Sequence, residues 1–265
     1  MNCKRRKALA AMGTMLGAGV GGAVLGRFAP AAAAPLPSPP LPWPYSKLDP
    51  SAVAERAYWS YPDGHCMFSS FAGLVGELAE KVGHPYKSFP MEVMKYGAGG
   101  VAGWGTLCGA LNGAAAAIYL ASDDPDPVID ELFWWYSNEK LPDFVPPESP
   151  VPITQSVSRS PLCHVSVAEW CSASGLKAYS KQRNERCARL AASAARRAAQ
   201  ILNAQQGGTL TLAHPAPDEV KRCRSCHERA GSVENTRGKM HCSQCHPGVE
   251  PSHPGDGGGT SSKEG

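Results

Sequence analysis

The sequence predicts a mainly α fold: a helical, cysteine-containing domain followed by an irregular C-terminal segment. Three observations carry this reading. Apolar residues recur at intervals of three and four in several stretches, which is the helical period. Between positions 96 and 120 a run of glycines passes into a run of alanines, as in a small-residue helix buried against close neighbours. Beyond Pro215 the apolar periodicity stops, and the remaining chain is polar, with regularly placed cysteines and histidines.

The chain has 265 residues, 43% hydrophobic and 18% charged. That is enough to bury a real core in one globular domain, or one domain and an appendage. The ten cysteines are therefore not needed to staple an undersized fold. The formal charge of +3 is concentrated at the start, where Lys4, Arg5, Arg6, Lys7 and Arg27 fall within a stretch that holds no acid. The remainder is net acidic and lacks the basic stripe of a nucleic-acid binder.

Residues 1–33 read as an export signal. The basic cluster Lys4 to Lys7 precedes a weakly apolar Ala/Gly stretch and the small-residue site Ala31-Ala32-Ala33. The Arg5-Arg6 pair and the modest hydrophobicity fit the twin-arginine route, which implies a periplasmic protein with no permanent membrane span once the signal is removed. Residues 34–58 form a proline-rich arm, in which Trp43 and Tyr45 suggest attachment to a surface, its own or a partner's.

The helical domain is expected over 59–205. Met67, Phe71, Leu74, Val75 and Leu78 define a helix at 65–82, and Ile129, Leu132, Phe133 and Trp135 define another at 126–139. A short helix over 162–171 closes at Gly175. Ser180 caps a long one at 181–203, with Cys187, Leu190 and Ala194 on one stripe and the arginines on another. Residues 209–213 suggest a short strand, and 252–265 a flexible tail.

Within 206–251 stand two copies of one pattern: Cys223-Arg224-Ser225-Cys226-His227 and Cys242-Ser243-Gln244-Cys245-His246. Both read Cys-x-x-Cys-His, the attachment sequence for c-type haem. Two thiols at this spacing can each add to one vinyl group of a porphyrin edge. The following histidine can then bind the iron as proximal ligand. Two haem c groups per chain are thus expected, attached at Cys223 and Cys226 and at Cys242 and Cys245, with His227 and His246 as proximal ligands. The four cysteines also fit a zinc-ribbon spacing, which would make an interaction module. That alternative leaves a histidine directly after both pairs without a role.

Five cysteines lie between the signal and the haem segment: Cys66, Cys108, Cys163, Cys171 and Cys187. They can be plain buried thiols, partial disulfides, or three or four ligands of an iron centre. Cys163 and Cys171, if on one helix, are separated by about 12 Å of rise, so one can belong to a small cluster and the other cannot.

Cys108-Gly109-Ala110-Leu111-Asn112-Gly113 resembles the Cys-Gly-Ala-x-x-Gly core of a redox-active family with four spaced cysteines. Cys66 resembles its first cysteine, Cys171 its third and Cys187 its fourth, with Cys163 extra. Such a domain followed by two haem motifs resembles split-Soret cytochrome c. The resemblance implies a mainly helical homodimer with two stacked, bis-histidine haems per subunit. It also implies an iron–sulfur or di-iron centre on the cysteines.

Sixth ligands for the haem irons are sought among His65, His164 and His214. His241 directly precedes Cys242 and is sterically awkward for its own haem, although it could reach the other. The function expected is electron transfer between redox partner proteins. A haem redox enzyme is the other class, and it would need an open coordination site.

Overall fold

The architecture comes from a computed structural model that describes residues 39–147 and 151–248. All of them fall within one compact unit, Ser38–Gly265. Residues 1–33, expected to be an export signal, and the expected tail at 252–265 lie outside the described residues.

Seven α-helices appear among the described residues: α1 (Pro50–Trp59), α2 (Tyr61–Lys81), α3 (Gly109–Ala121), α4 (Pro125–Asn138), α5 (Cys163–Ser174), α6 (Lys181–Gln206) and α7 (Asp218–His227). Two-residue strands β1 (Lys140–Leu141) and β2 (Ser156–Val157) pair antiparallel, Lys140 opposite Val157. The fold is mainly α, as expected.

α2 and α6 form the centre, with α1 and α3 packed against both and α4 against α6. Alanine makes this possible. Ala191, Ala194, Ala195 and Ala198 on α6 are fully buried, and their short side chains let neighbouring backbones approach closely. Gly113 does the same for α3. A Cβ there would strike the carbonyl of Met67 and the hydroxyl of Ser70, an overpacking that costs about 1–3 kcal/mol.

The caps follow the sequence signals. Ser180 Oγ accepts from Arg183 N at 3.1 Å, and Gly175 closes α5 in the left-handed conformation. The proline-rich arm is shorter than 34–58, because Pro50–Trp59 is helical. Asp49 caps this helix, accepting from Ser51 N at 2.9 Å, and Pro50 starts its first turn. The arm lies on its own subunit. Asn203 bonds Tyr45 Oη at 2.7 Å and both backbone groups of Leu48, at 3.0 and 2.8 Å.

Three expectations need correction. Residues 209–213 form no strand, since His214 N bonds to Glu131 Oε2 at 2.9 Å and ties this segment to α4 instead of to a ladder. The arginines of α6 are not all on an outer stripe, because Arg186 and Arg189 are 1% and 3% exposed. The haem segment is not wholly irregular, since the first motif lies on α7.

Candidate functional site

The thiol site is assembled by helix starts. α2 is interrupted at His65, whose φ of 62° and ψ of −159° are not helical, so Cys66 begins the long regular part. Cys108 is the N-cap of α3, and Cys163 is the first residue of α5. One local pairing joins the last two. Leu107 and Leu162 form an antiparallel bridge, Cys108 N donates to Pro161 O at 2.8 Å, and Cys163 N donates to Thr106 O at 2.7 Å. Gly109 lies directly against the Cys66 side chain, and Cys187 comes from α6, close enough to Cys66 for the two thiols to act on each other.

The electrostatics of these groups follow from that packing. The Cys66 thiol, as a donor near Cys187, favours the Cys187 thiolate, and the guanidiniums of Arg186 and Arg183 add to it. The Cys187 thiol is therefore held well below its ordinary value despite burial. Cys66, the donor of the pair, moves the other way. Burial raises Cys108. Burial, then the neighbouring Cys108 and Cys187, push Cys163 up to about 12.

Cys66, Cys108, Cys163 and Cys187 therefore act on one another. Cys171 is not among the groups that act most strongly on them. The thiol that α5 contributes is Cys163, the residue extra to the four-cysteine alignment. No group of three or more His, Cys, Asp or Glu side chains stands at metal-binding distance among the described residues. As a donor set, four neighbouring buried or half-buried thiols suit iron or an iron–sulfur cluster.

Around this site the sequence reading missed a polar frame. Arg186 Nη1 lies 3.9 Å from Cys187 Sγ, and its Nη2 donates to Ser166 Oγ at 2.8 Å. Tyr136 Oη bonds the same hydroxyl at 2.8 Å and also reaches Cys108. A cysteine neighbour in sequence is the only local signal for Arg186. Its burial depends on α5 and α4 closing over α6.

The haem segment is held against α4. Lys239 Nζ pairs with Asp130 at 2.7 and 2.8 Å, and the His241 ring meets the Trp134 edge with centroids 5.4 Å apart. Within the segment, Glu219 of α7 accepts from the two residues that flank Cys242, His241 Nδ1 at 3.2 Å and Ser243 Oγ at 3.0 Å, which brings the leading cysteines of the two motifs, Cys223 and Cys242, near each other. Burial, then the Cys223 neighbour, raises the Cys242 thiol. His227 Nδ1 donates to Asn235 Oδ1 at 2.7 Å, which places the ring's lone pair on Nε2. That is the tautomer an axial ligand needs. His246 is exposed and continues a turn in which its N donates to Cys242 O at 3.0 Å.

The sixth-ligand candidates divide. His65 and His164 are exposed beside the thiol site, and His164 Nδ1 bonds Gly105 O at 3.1 Å. His214 is engaged by carboxylates on both ring nitrogens, Glu131 at 2.7 Å and Glu139 at 3.5 Å. His241 donates from Nδ1 to Glu219 Oε1 at 3.2 Å, and its Nε2 is buried without a hydrogen-bond partner. It borders an apolar groove with Phe133, Trp134, Pro161 and Met240. Pro161 is the residue whose carbonyl accepts from Cys108, so one wall of the groove is bonded to the backbone of the thiol site, and the other, at Met240 and His241, directly precedes the second motif.

Paired haem-attachment motifs beside a cluster of thiols, on a helical scaffold, define a redox protein of the cytochrome c class. Comparison with known proteins agrees. Residues 68–201 match the family described as "Putative redox-active protein (C_GCAxxG_C_C)". In the signature as named, cysteine directly precedes alanine, whereas here Gly109 stands between Cys108 and Ala110. The chain is 38% identical over 271 aligned positions to split-Soret cytochrome c of Desulfovibrio desulfuricans, covering 94% of this chain and 96% of that protein. It also matches a solved structure described as "A novel iron centre in the split-Soret cytochrome c from Desulfovibrio desulfuricans ATCC 27774". That match has a TM-score of 0.73 and 39% identity, and covers 78% of this chain and 91% of that one. The chain belongs to the split-Soret cytochrome c family.

Proposed function

We propose that the chain is an exported dihaem c-type cytochrome that transfers electrons and carries a further iron centre on cysteine thiolates. The haem irons, when bound, take up and release single electrons. The protein sets their spacing, ligation and surroundings. The observation that carries this reading is Glu219 on α7, which accepts from both residues flanking Cys242 and so holds the second motif against the helix of the first. Two motifs held together in this way support haems attached side by side, one on Cys223, Cys226 and His227, the other on Cys242, Cys245 and His246.

The second centre is an iron–sulfur or di-iron cluster on Cys66, Cys108, Cys163 and Cys187. The novel iron centre of the related Desulfovibrio desulfuricans structure supports it. So does the groove between His241 and Pro161, which brings the haem segment next to the backbone that carries Cys108 and Cys163. His241 joins His65, His164 and His214 as a candidate sixth ligand. Residues 1–33 direct the chain to the periplasm, where it works as a homodimer with redox partner proteins. No helix among the described residues is long and apolar enough to cross a membrane.

The test is a visible spectrum of the purified mature chain, with covalent haem and total iron counted per chain. Two haems, a doubled main absorption band and iron in excess of haem iron are expected. One haem per chain would contradict the dihaem reading, and iron equal to haem iron would contradict the cysteine centre.

A further inference from the structure

Arg186 has a burial that needs explaining. Its side chain is among the largest fully buried ones, at 1% exposed, and a guanidinium stays charged in proteins at any working pH. A buried charge is tolerated when an opposite charge lies close and its donors are satisfied. Among the described residues no carboxylate forms an ion pair with Arg186, although ion pairs do serve Arg56, Arg189, Arg196, Arg197 and Arg224. Its oxygen acceptors are neutral, Ser166 Oγ at 2.8 Å and Ser166 O at 3.3 Å, its other acceptor is Cys187 Sγ at 3.9 Å, and its Nε has no partner. The groups that act on it most strongly, apart from burial itself, are Cys187, Tyr136 and Cys108.

We infer that Arg186 is the fixed internal counter-charge of the cysteine centre and sets how readily that centre accepts an electron. This rests on the thiol-bound iron proposed above. Several thiolates on one iron centre carry net negative charge, and adding an electron increases it without making or breaking a protein bond. A positive charge held 3.9 Å from the Cys187 sulfur, where little water screens it, favours the reduced form. Ser166 anchors the guanidinium to α5, and through Tyr136 to α4, so the charge cannot swing away when the electron leaves. Arg183 also faces Cys187 but is only half-buried, so solvent weakens its influence.

The test uses the full haem-loaded chain carrying Arg186→Lys, Arg186→Gln or Arg183→Gln. Iron beyond haem iron is counted, and the cysteine centre is titrated with dithionite under electron paramagnetic resonance. Arg186→Gln is expected to keep its iron and to change the reduced-to-oxidised ratio about tenfold towards the oxidised form, about 59 mV for one electron. The haem couples should stay put. Arg186→Lys and Arg183→Gln should each shift the couple less. Iron-loaded Arg186→Gln with an unmoved couple overturns the inference. Equal shifts for Arg186→Lys and Arg186→Gln also overturn it, since shape rather than charge would then be the cause. If Arg186→Gln does not fold, Arg186→Lys decides: retained iron with a near-native couple supports the inference, and folded protein without that iron overturns it. Unmodified chain lacking iron beyond its haems instead sinks the thiol-centre reading itself, and this inference with it.

Discussion

Cys108 and Cys163 start two different helices from one short antiparallel pairing, in which each donates its backbone N–H across the Leu107–Leu162 bridge at 2.8 and 2.7 Å. Cys171 lies two turns further along α5, about 12 Å of rise away. Cys163→Ser and Cys108→Ser are therefore expected to lose the non-haem iron and keep both haems. Cys171→Ser should keep all of it. Metal analysis against haem content separates the cases, and iron lost with Cys171 alone would restore the four-cysteine alignment.

His65 occupies backbone space that glycine enters freely and other residues enter at a cost of about 1–3 kcal/mol. Strain of this kind at an exposed imidazole beside Cys66 points to a role for the ring. His65→Gly suits the backbone, so a change in ligation cannot be ascribed to misfolding. With His65 as a sixth ligand, the variant should bind carbon monoxide at one haem with its helix content unchanged. A variant that binds none removes His65 from the ligand set.

His241 makes the competing case from geometry. Its Nδ1–H is directed to Glu219, which leaves a buried lone pair on Nε2. His241→Phe preserves the edge contact with Trp134 and removes that nitrogen. Conversion of one haem to a high-spin spectrum is the expected outcome, and an unchanged spectrum would assign the ring a packing role.

Glu131 fastens the haem segment to α4. Burial alone would raise its carboxyl, but hydrogen bonds from His214 and Arg197 carry it below the ordinary value of 4.5. A carboxylate depressed by folding contributes stability above its unfolded pKa and loses it as pH falls through the folded value. Glu131→Gln should therefore cost about 1–3 kcal/mol at neutral pH, with the deficit shrinking below about pH 4.5. Urea unfolding across pH checks this. A deficit that is the same well below that pH as at neutral pH would mean the charge is irrelevant.

What the sequence made legible was local chemistry. The haem motifs are readable because covalent attachment needs two thiols and a histidine close together in the chain. The long helices are readable from the spacing of Leu74, Leu78, Leu132 and Leu190. Features set by distant pairing are not. The closeness of Cys163, and not Cys171, to Cys108 depends on backbone contacts between 106–108 and 161–163. The burial of Arg186 depends on Ser166 and Tyr136, which come from other helices. α1 is hidden because Pro50 reads as part of the proline-rich arm, although at a helix start its missing N–H costs nothing.

Porphyrin attached to the tail cysteines underlies every role proposed for this chain, and the intact mass of the mature protein tests it most directly. Two covalent haem additions, reduced to one by Cys223→Ala with Cys226→Ala and to one by Cys242→Ala with Cys245→Ala, are the predicted result. A mass equal to that of the bare polypeptide would contradict it.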